Sequence, residues 1–348
     1  MPRALAVLPH HLLAAALGLV ALSMPAAAAP AEPLVTPQWL YEQKPNPDLV
    51  VLDIRSAIDG GGGEAYVKAH IPGAVHSDYD KAGWRVARNG VPFMLPTTAE
   101  LEKLVGETGI DEDSHVVIVP AGVSATDFGS AARVYWTLRA AGHPAVSILD
   151  GGFAAWQAAG YPVESGKVAV TPRIFTAKMD FSLLADIESV EAAGAQASRK
   201  PLTAKLGTSL LTDIKGVEGR SAATLVDARP ASYFEGREKA PAAQAYGHIQ
   251  GAINLDSAAF YDPVTNRLRP REQLAAIAGR LPDGPVIAYC NTGHWAATDW
   301  FVLSVVLGRP DVRLYDGSMV EWTADARRPV ASSRTRWDDL KKALGFGS

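Results

Sequence analysis

One pattern occurs twice in this chain, and it restricts the fold more than any single motif does. Leu225-Val226-Asp227-Ala228-Arg229 repeats Val51-Leu52-Asp53-Ile54-Arg55. Gly247-His248-Ile249-Gln250-Gly251-Ala252-Ile253 repeats the segment from Ala69 to Val75. Val286 to Tyr289 echoes Val116 to Val119, and Tyr315-Asp316-Gly317-Ser318 echoes Leu149-Asp150-Gly151-Gly152. Trp322 stands where the first copy has Trp156. The unit is far longer than the roughly 20–50 residues of a solenoid repeat, so it is a duplicated domain.

Within each copy, short apolar runs alternate with helix-compatible segments. In the first copy, residues 49–54, 116–119 and 146–149 read as strands. Residues 34–48, 97–106, 128–141 and 153–159 read as helices, the third of them amphipathic. Alternation of this kind predicts an α/β fold: two tandem domains, each a central parallel sheet flanked by helices. The expected limits are 34–163 for the first domain, 164–185 for a linker and 186–345 for the second domain. Residues 186–220 are rich in Ala, Gly and Lys and carry no legible pattern.

Residues 1–29 have the layout of a secretory signal: Arg3 near the start, an apolar stretch from Leu12 to Leu22, then alanines suited to cleavage after Ala28 or Ala29. That stretch is short for a spanning helix, which needs about 20 apolar residues. The expectation is export, to the periplasm, without stable membrane association. The formal net charge of −4, with no long Lys/Arg cluster, argues against a nucleic-acid partner.

Cys290 is the only cysteine, so no disulfide can form within the chain. It follows the apolar run from Val286 to Tyr289 and precedes Asn291-Thr292-Gly293-His294-Trp295-Ala296 and a helix-compatible run to Leu307. A thiol at a strand-to-helix turn meets backbone N–H groups that have no intrahelical partner, and these favour negative charge. A lone cysteine is also a good small hydrophobe. The polar loop after it favours chemistry over filling. The first copy has Pro120 at this place, so thiol chemistry is confined to the second.

In order and in duplicate, the D-x-R segments, the [AG]-H-I-x-G-A segments, the C-x-x-G loop and Asp316 to Trp322 resemble the rhodanese superfamily in its tandem sulfurtransferase form. The resemblance covers nearly all of the chain beyond residue 29. It implies a persulfide on Cys290, loaded by a small anionic sulfur donor and unloaded by cyanide or a thiol, a thiol-carrying protein included. It implies no metal and no organic cofactor. Asn291, Thr292, Gly293, His294, Trp295 and Ala296 become candidate substrate contacts, their amides cradling the sulfur.

The resemblance divides over the donor. The mercaptopyruvate branch reads C-G-[ST]-G-V-T and the classical thiosulfate branch C-R-K-G-V-T. This chain reads C-N-T-G-H-W. Both branches usually place an Arg where Tyr233 stands, and Arg237 and Lys239 lie close by as candidate anion contacts to replace it. Thiosulfate is the expected donor and 3-mercaptopyruvate the alternative. His70, His248 and the paired Asp53/Arg55 and Asp227/Arg229 recur in both copies and are expected to be structural. Asp316 and Ser318 are expected to support the loop.

Two rival functions draw on the same residues. A cysteine phosphatase needs C-x5-R, but Ala296 stands six residues after Cys290, and the phosphate-clamping guanidinium is missing. A persulfide carrier without turnover needs only Cys290, and the sequence leaves it open.

Overall fold

The computed structural model describes residues 31–59, 61–197 and 223–333. The signal-like segment 1–29, residues 198–222 and the last residues of the chain, from 334, lie outside the described residues.

The first domain contains β1 (Leu34–Val35), β2 (Leu49–Asp53), β3 (Val75–His76), β4 (Val86–Arg88), β5 (Val91–Met94), β6 (His115–Val119) and β7 (Val146–Leu149). The second contains β8 (Leu184–Ala185), β9 (Thr224–Asp227), β10 (His248–Ile249), β11 (Ile253–Asn254), β12 (Tyr261–Asp262), β13 (Arg267–Leu268), β14 (Val286–Tyr289), β15 (Val312–Tyr315) and β16 (Val330–Ala331). The main sheets run β1-β7-β6-β2-β3 and, read from the other edge, β8-β15-β14-β9-β11. All pairings within them are parallel. The two orders are the same topology, so the duplicated sequence folds as a duplicated sheet. The expected linker contributes its last two residues, β8, to the edge of the second sheet beside β15.

The central strands are buried on both faces, which is why they read as continuous apolar runs rather than as alternating ones. Each copy's D-x-R segment closes the end of its strand. Arg55 Nε and Nη2 donate to both Asp53 oxygens, and Arg229 Nε and Nη2 do the same with Asp227. His70 and His248 bond main-chain carbonyls through Nδ1, at Tyr66 and Phe234.

Two expectations are corrected. The helix expected at 128–141 spans Ala125–Ala140, capped by Ser124, whose Oγ accepts from the Asp127 amide at 3.1 Å. It is buried on nearly every side instead of being amphipathic. One side covers its own sheet, and another packs on the helix His294–Trp300 of the second domain. That second helix begins at His294 rather than at Ala296, and continues as a π-helix over Phe301–Val306. Phe128 and Tyr135 meet Phe301 edge-on across the boundary, with ring centroids 5.9 and 4.9 Å apart. A single apolar cluster therefore runs through both domains.

Candidate active site

β14 ends at Tyr289, paired with Asp227 of β9, and Cys290 is the next residue. Pro120 follows β6 in the same way, so the two positions correspond in space. The Cys290 thiol is 1% exposed. Its loop is held from below by Ser318, whose Oγ accepts from the amides of both Cys290 and Gly293 at 3.0 Å. That hydroxyl donates in turn to Tyr315 O at 2.9 Å. The amides of Met319 and Val320 donate to the carbonyls of Cys290 and Asn291. The Asn291 side chain accepts from Arg229 Nη1 at 3.3 Å, which ties the loop to the D-x-R pair. The amides of Asn291 and Thr292 meet no protein acceptor among the described residues.

Gly293 is in the left-handed region at φ 72°, where a Cβ is strained. A Cβ there would also collide with Arg133 Nη1. Arg133 comes from the first domain, on the helix Ala125–Ala140. It is fully buried and ion-paired with Asp316, whose other oxygen accepts from the Leu95 amide. The Nε and Nη1 of Arg133 have no hydrogen-bond partner among the described residues.

His294 was expected as a contact for the donor, but the fold uses it differently. Nδ1 accepts from Tyr79 Oη at 2.8 Å, and Nε2 donates to Thr126 O at 2.9 Å. Both partners belong to the first domain, so the ring is a clasp with neither nitrogen free. Burial, aided by the cations Arg85 and Arg133, lowers its pKa to about 3, and the imidazole is neutral. Burial likewise pushes the Tyr79 phenol up to about 12, so it stays a donor. Trp295 Nε1 donates to Thr126 Oγ1 at 3.3 Å, and its ring meets Tyr233 edge-on at 5.9 Å. Thr292 and Trp295 are half-buried, and Ala296 is buried behind them. Arg237 lies on the surface, 63% exposed, with Nη1 2.9 Å from Glu235; its ion pair is there and not with the Cys290 loop.

Arg133, Tyr79 and Thr126 were missed as site residues in the sequence. Arg133 left one signal, a lone cation inside the apolar run Ala131-Ala132-Arg133-Val134-Tyr135-Trp136. Among the described residues no group of three or more His, Cys, Asp or Glu could hold a metal ion. No helix among them is long and apolar enough to cross a membrane.

A buried thiol on a loop with unpaired amides can act as a nucleophile whose negative product is stabilised in place. Comparison with known proteins points to the same chemistry. The rhodanese-like domain model matches residues 36–159 and 212–325. A probable 3-mercaptopyruvate sulfurtransferase of Pseudomonas aeruginosa is 36% identical over 311 residues, covering 86% of this chain and 98% of that protein. The thiosulfate sulfurtransferase of Bos taurus is 32% identical over 302 residues, covering 83% of this chain and 91% of that protein. Among solved structures, the 3-mercaptopyruvate sulfotransferase SseA from Escherichia coli matches with a TM-score of 0.65 at 27% identity, covering 83% of this chain and 99% of that one.

Proposed function

This chain belongs to the rhodanese-like family as a tandem-domain sulfurtransferase, and on that premise we propose that it draws its sulfur from thiosulfate and carries it on Cys290. The thiolate attacks the outer sulfur of the donor. An S–S bond forms to Cys290, the S–S bond of thiosulfate breaks, and its electron pair leaves on sulfite. Cyanide or a thiolate then attacks the outer sulfur of the persulfide, and the pair returns to Cys290. Splitting the transfer in this way predicts ping-pong kinetics. We assign the stabilisation of negative charge on the sulfur to the Asn291 and Thr292 amides, a role supported by their having no protein acceptor among the described residues.

Both donor branches usually have an arginine where Tyr233 stands, so its absence alone does not choose between them. What supports thiosulfate over an α-keto acid is that no guanidinium fork for a carboxylate is seen at this place among the described residues. Tyr233, where the family usually has an arginine, packs edge-on against Trp295, and Arg237 is engaged with Glu235. A planar carboxylate is best held by a guanidinium fork. A compact sulfonate can be held by diverging N–H groups such as those of the loop. The second reading, 3-mercaptopyruvate, is favoured by the name of the 36%-identical relative. We further propose export, supported by the signal-like residues 1–29; N-terminal sequencing of the protein recovered from the periplasm tests it.

The deciding experiment is intact mass after addition of each donor and then of cyanide, beside Cys290→Ser. Thiosulfate is expected to add roughly 32 Da, one sulfur atom, removed by cyanide and absent from the variant. Loading by 3-mercaptopyruvate alone would reverse the choice of donor. Loading without steady turnover would make the protein a carrier.

A further inference from the structure

Three arginines are buried at the strand ends and the domain boundary, and they differ in how their N–H groups are used. Arg55 and Arg229 each give Nε and Nη2 to both oxygens of the neighbouring aspartate, and Nη2 also reaches a main-chain carbonyl. Arg133 bonds Asp316 through Nη2 and, among the described residues, leaves Nε and Nη1 without a hydrogen-bond acceptor at zero exposure. Burying an arginine with open N–H groups is costly unless its charge is answered nearby. Asp316 supplies one countercharge at Nη2 and the Trp136 ring lies 4.7 Å from the guanidinium carbon, but neither takes a hydrogen bond from Nε or Nη1. The open edge lies on Gly293, three residues after the thiol, whose amide shares Ser318 Oγ with the Cys290 amide.

We infer that Arg133, a residue of the domain without a thiol, is a positioning residue for Cys290. It braces the loop against Asp316 and turns Nη1, a donor with no acceptor among the described residues, towards the loop at Gly293, so that thiolate and persulfide are favoured there. Tyr79 and His294 feel the same field: Arg133 is among the charges that act on both. Other titratable or charged groups act here: Arg85 and Asp80 from the first domain, Arg229, Asp227 and Tyr289 from the second, and Tyr315 and Glu321 beside Asp316. The inference rests on Cys290 being the reactive thiol, and it is independent of which donor is used.

The test is the pH–rate profile of iodoacetamide alkylation. Cys290 is the only cysteine, so its modification is read directly by mass. Full-length wild type is compared with Arg133→Met, Arg133→Lys and Asp316→Asn, each with a melting temperature, and with Arg267→Ala as control. Arg267 makes the other ion pair across the boundary, with Asp150, and is 42% exposed. Arg133→Met should move the profile to higher pH, and Arg133→Lys should stay near wild type. Asp316→Asn, which removes the countercharge, should move it down. A brace without electrostatic effect shifts both variants the same way or neither, and that result overturns the inference. So does an Arg133→Met profile that matches the Arg267→Ala control. Should Arg133→Met fail to fold, the opposite shift in Asp316→Asn beside an unmoved Arg133→Lys still decides. Alkylation needs no sulfur donor, so a failure of persulfide loading leaves this result standing, and the reverse also holds.

Discussion

The two strand-to-helix loops of this protein are copies, and only one of them is open. In the first domain the amides of Ala121, Gly122 and Val123 donate to the Asp127 carboxylate at 3.1, 2.6 and 3.1 Å. Burial raises that carboxyl's pKa to about 6 in spite of these bonds. In the second domain the nearby Asp316 carboxylate is taken by Arg133 and the Leu95 amide, and among the described residues no carboxylate accepts from the Asn291 and Thr292 amides. A cradle of main-chain N–H groups is thus a property of the fold, and one side chain decides whether it is filled from within. Losing the thiol and gaining an internal anion go together in the first copy. That half is then free to brace its neighbour.

This comparison can be broken by moving the thiol. Cys290→Ser should reduce sulfur transfer to background, and Pro120→Cys added to it should restore nothing, because Asp127 already occupies the amides. A persulfide on the thiol introduced at position 120, detected by mass, would contradict the picture of a filled cradle. The next largest effect is expected from Gly293→Ala. Its Cβ meets both a left-handed φ and the Arg133 guanidinium, and displacing the loop by about an ångström is expected to cost about 10²-fold in kcat/KM. An alanine variant within about threefold of wild type would show that the loop is not braced as described.

The clasp gives a pH dependence with a definite sign. His294 is held neutral in the folded protein, with a pKa of about 3, while an unfolded chain protonates it near the ordinary value of 6.5. Stability from this group is complete above about 6.5 and falls as the pH drops towards 3, by about 1.4 kcal/mol per unit in that window. Urea unfolding between about pH 7 and 5 should show this fall in wild type and a flatter one in His294→Asn; parallel slopes would remove His294 as the cause. The smallest effect belongs to Arg267→Ala. That half-exposed pair with Asp150 should contribute under about 1 kcal/mol, and transfer activity should stay within about twofold.

The two parallel sheets and the loop that follows β14 were legible because duplicated strands buried on both faces repeat as apolar runs at matching intervals. The position of Cys290 followed from the same alignment. What the sequence did not carry was the pairing between halves. Tyr79 and His294 are 215 residues apart, and Arg133 and Asp316 are 183 apart. No local periodicity records such contacts. The loop histidine therefore read as a ligand contact, when burial against the first domain had already used both of its nitrogens. Arg237 shows a related limit: it is close in sequence to the expected arginine position, but its ion pair is with Glu235 at the surface.

The shared apolar cluster also bears on how the molecule comes apart. Phe128 and Tyr135 on one side and Phe301 on the other belong to one packed interior, although they lie in different copies of the repeat. Neither copy can lose its structure without uncovering the other's aromatic surface. A duplicated chain of this kind should melt in one cooperative step, with a calorimetric enthalpy equal to the van't Hoff value, instead of as two beads on a string.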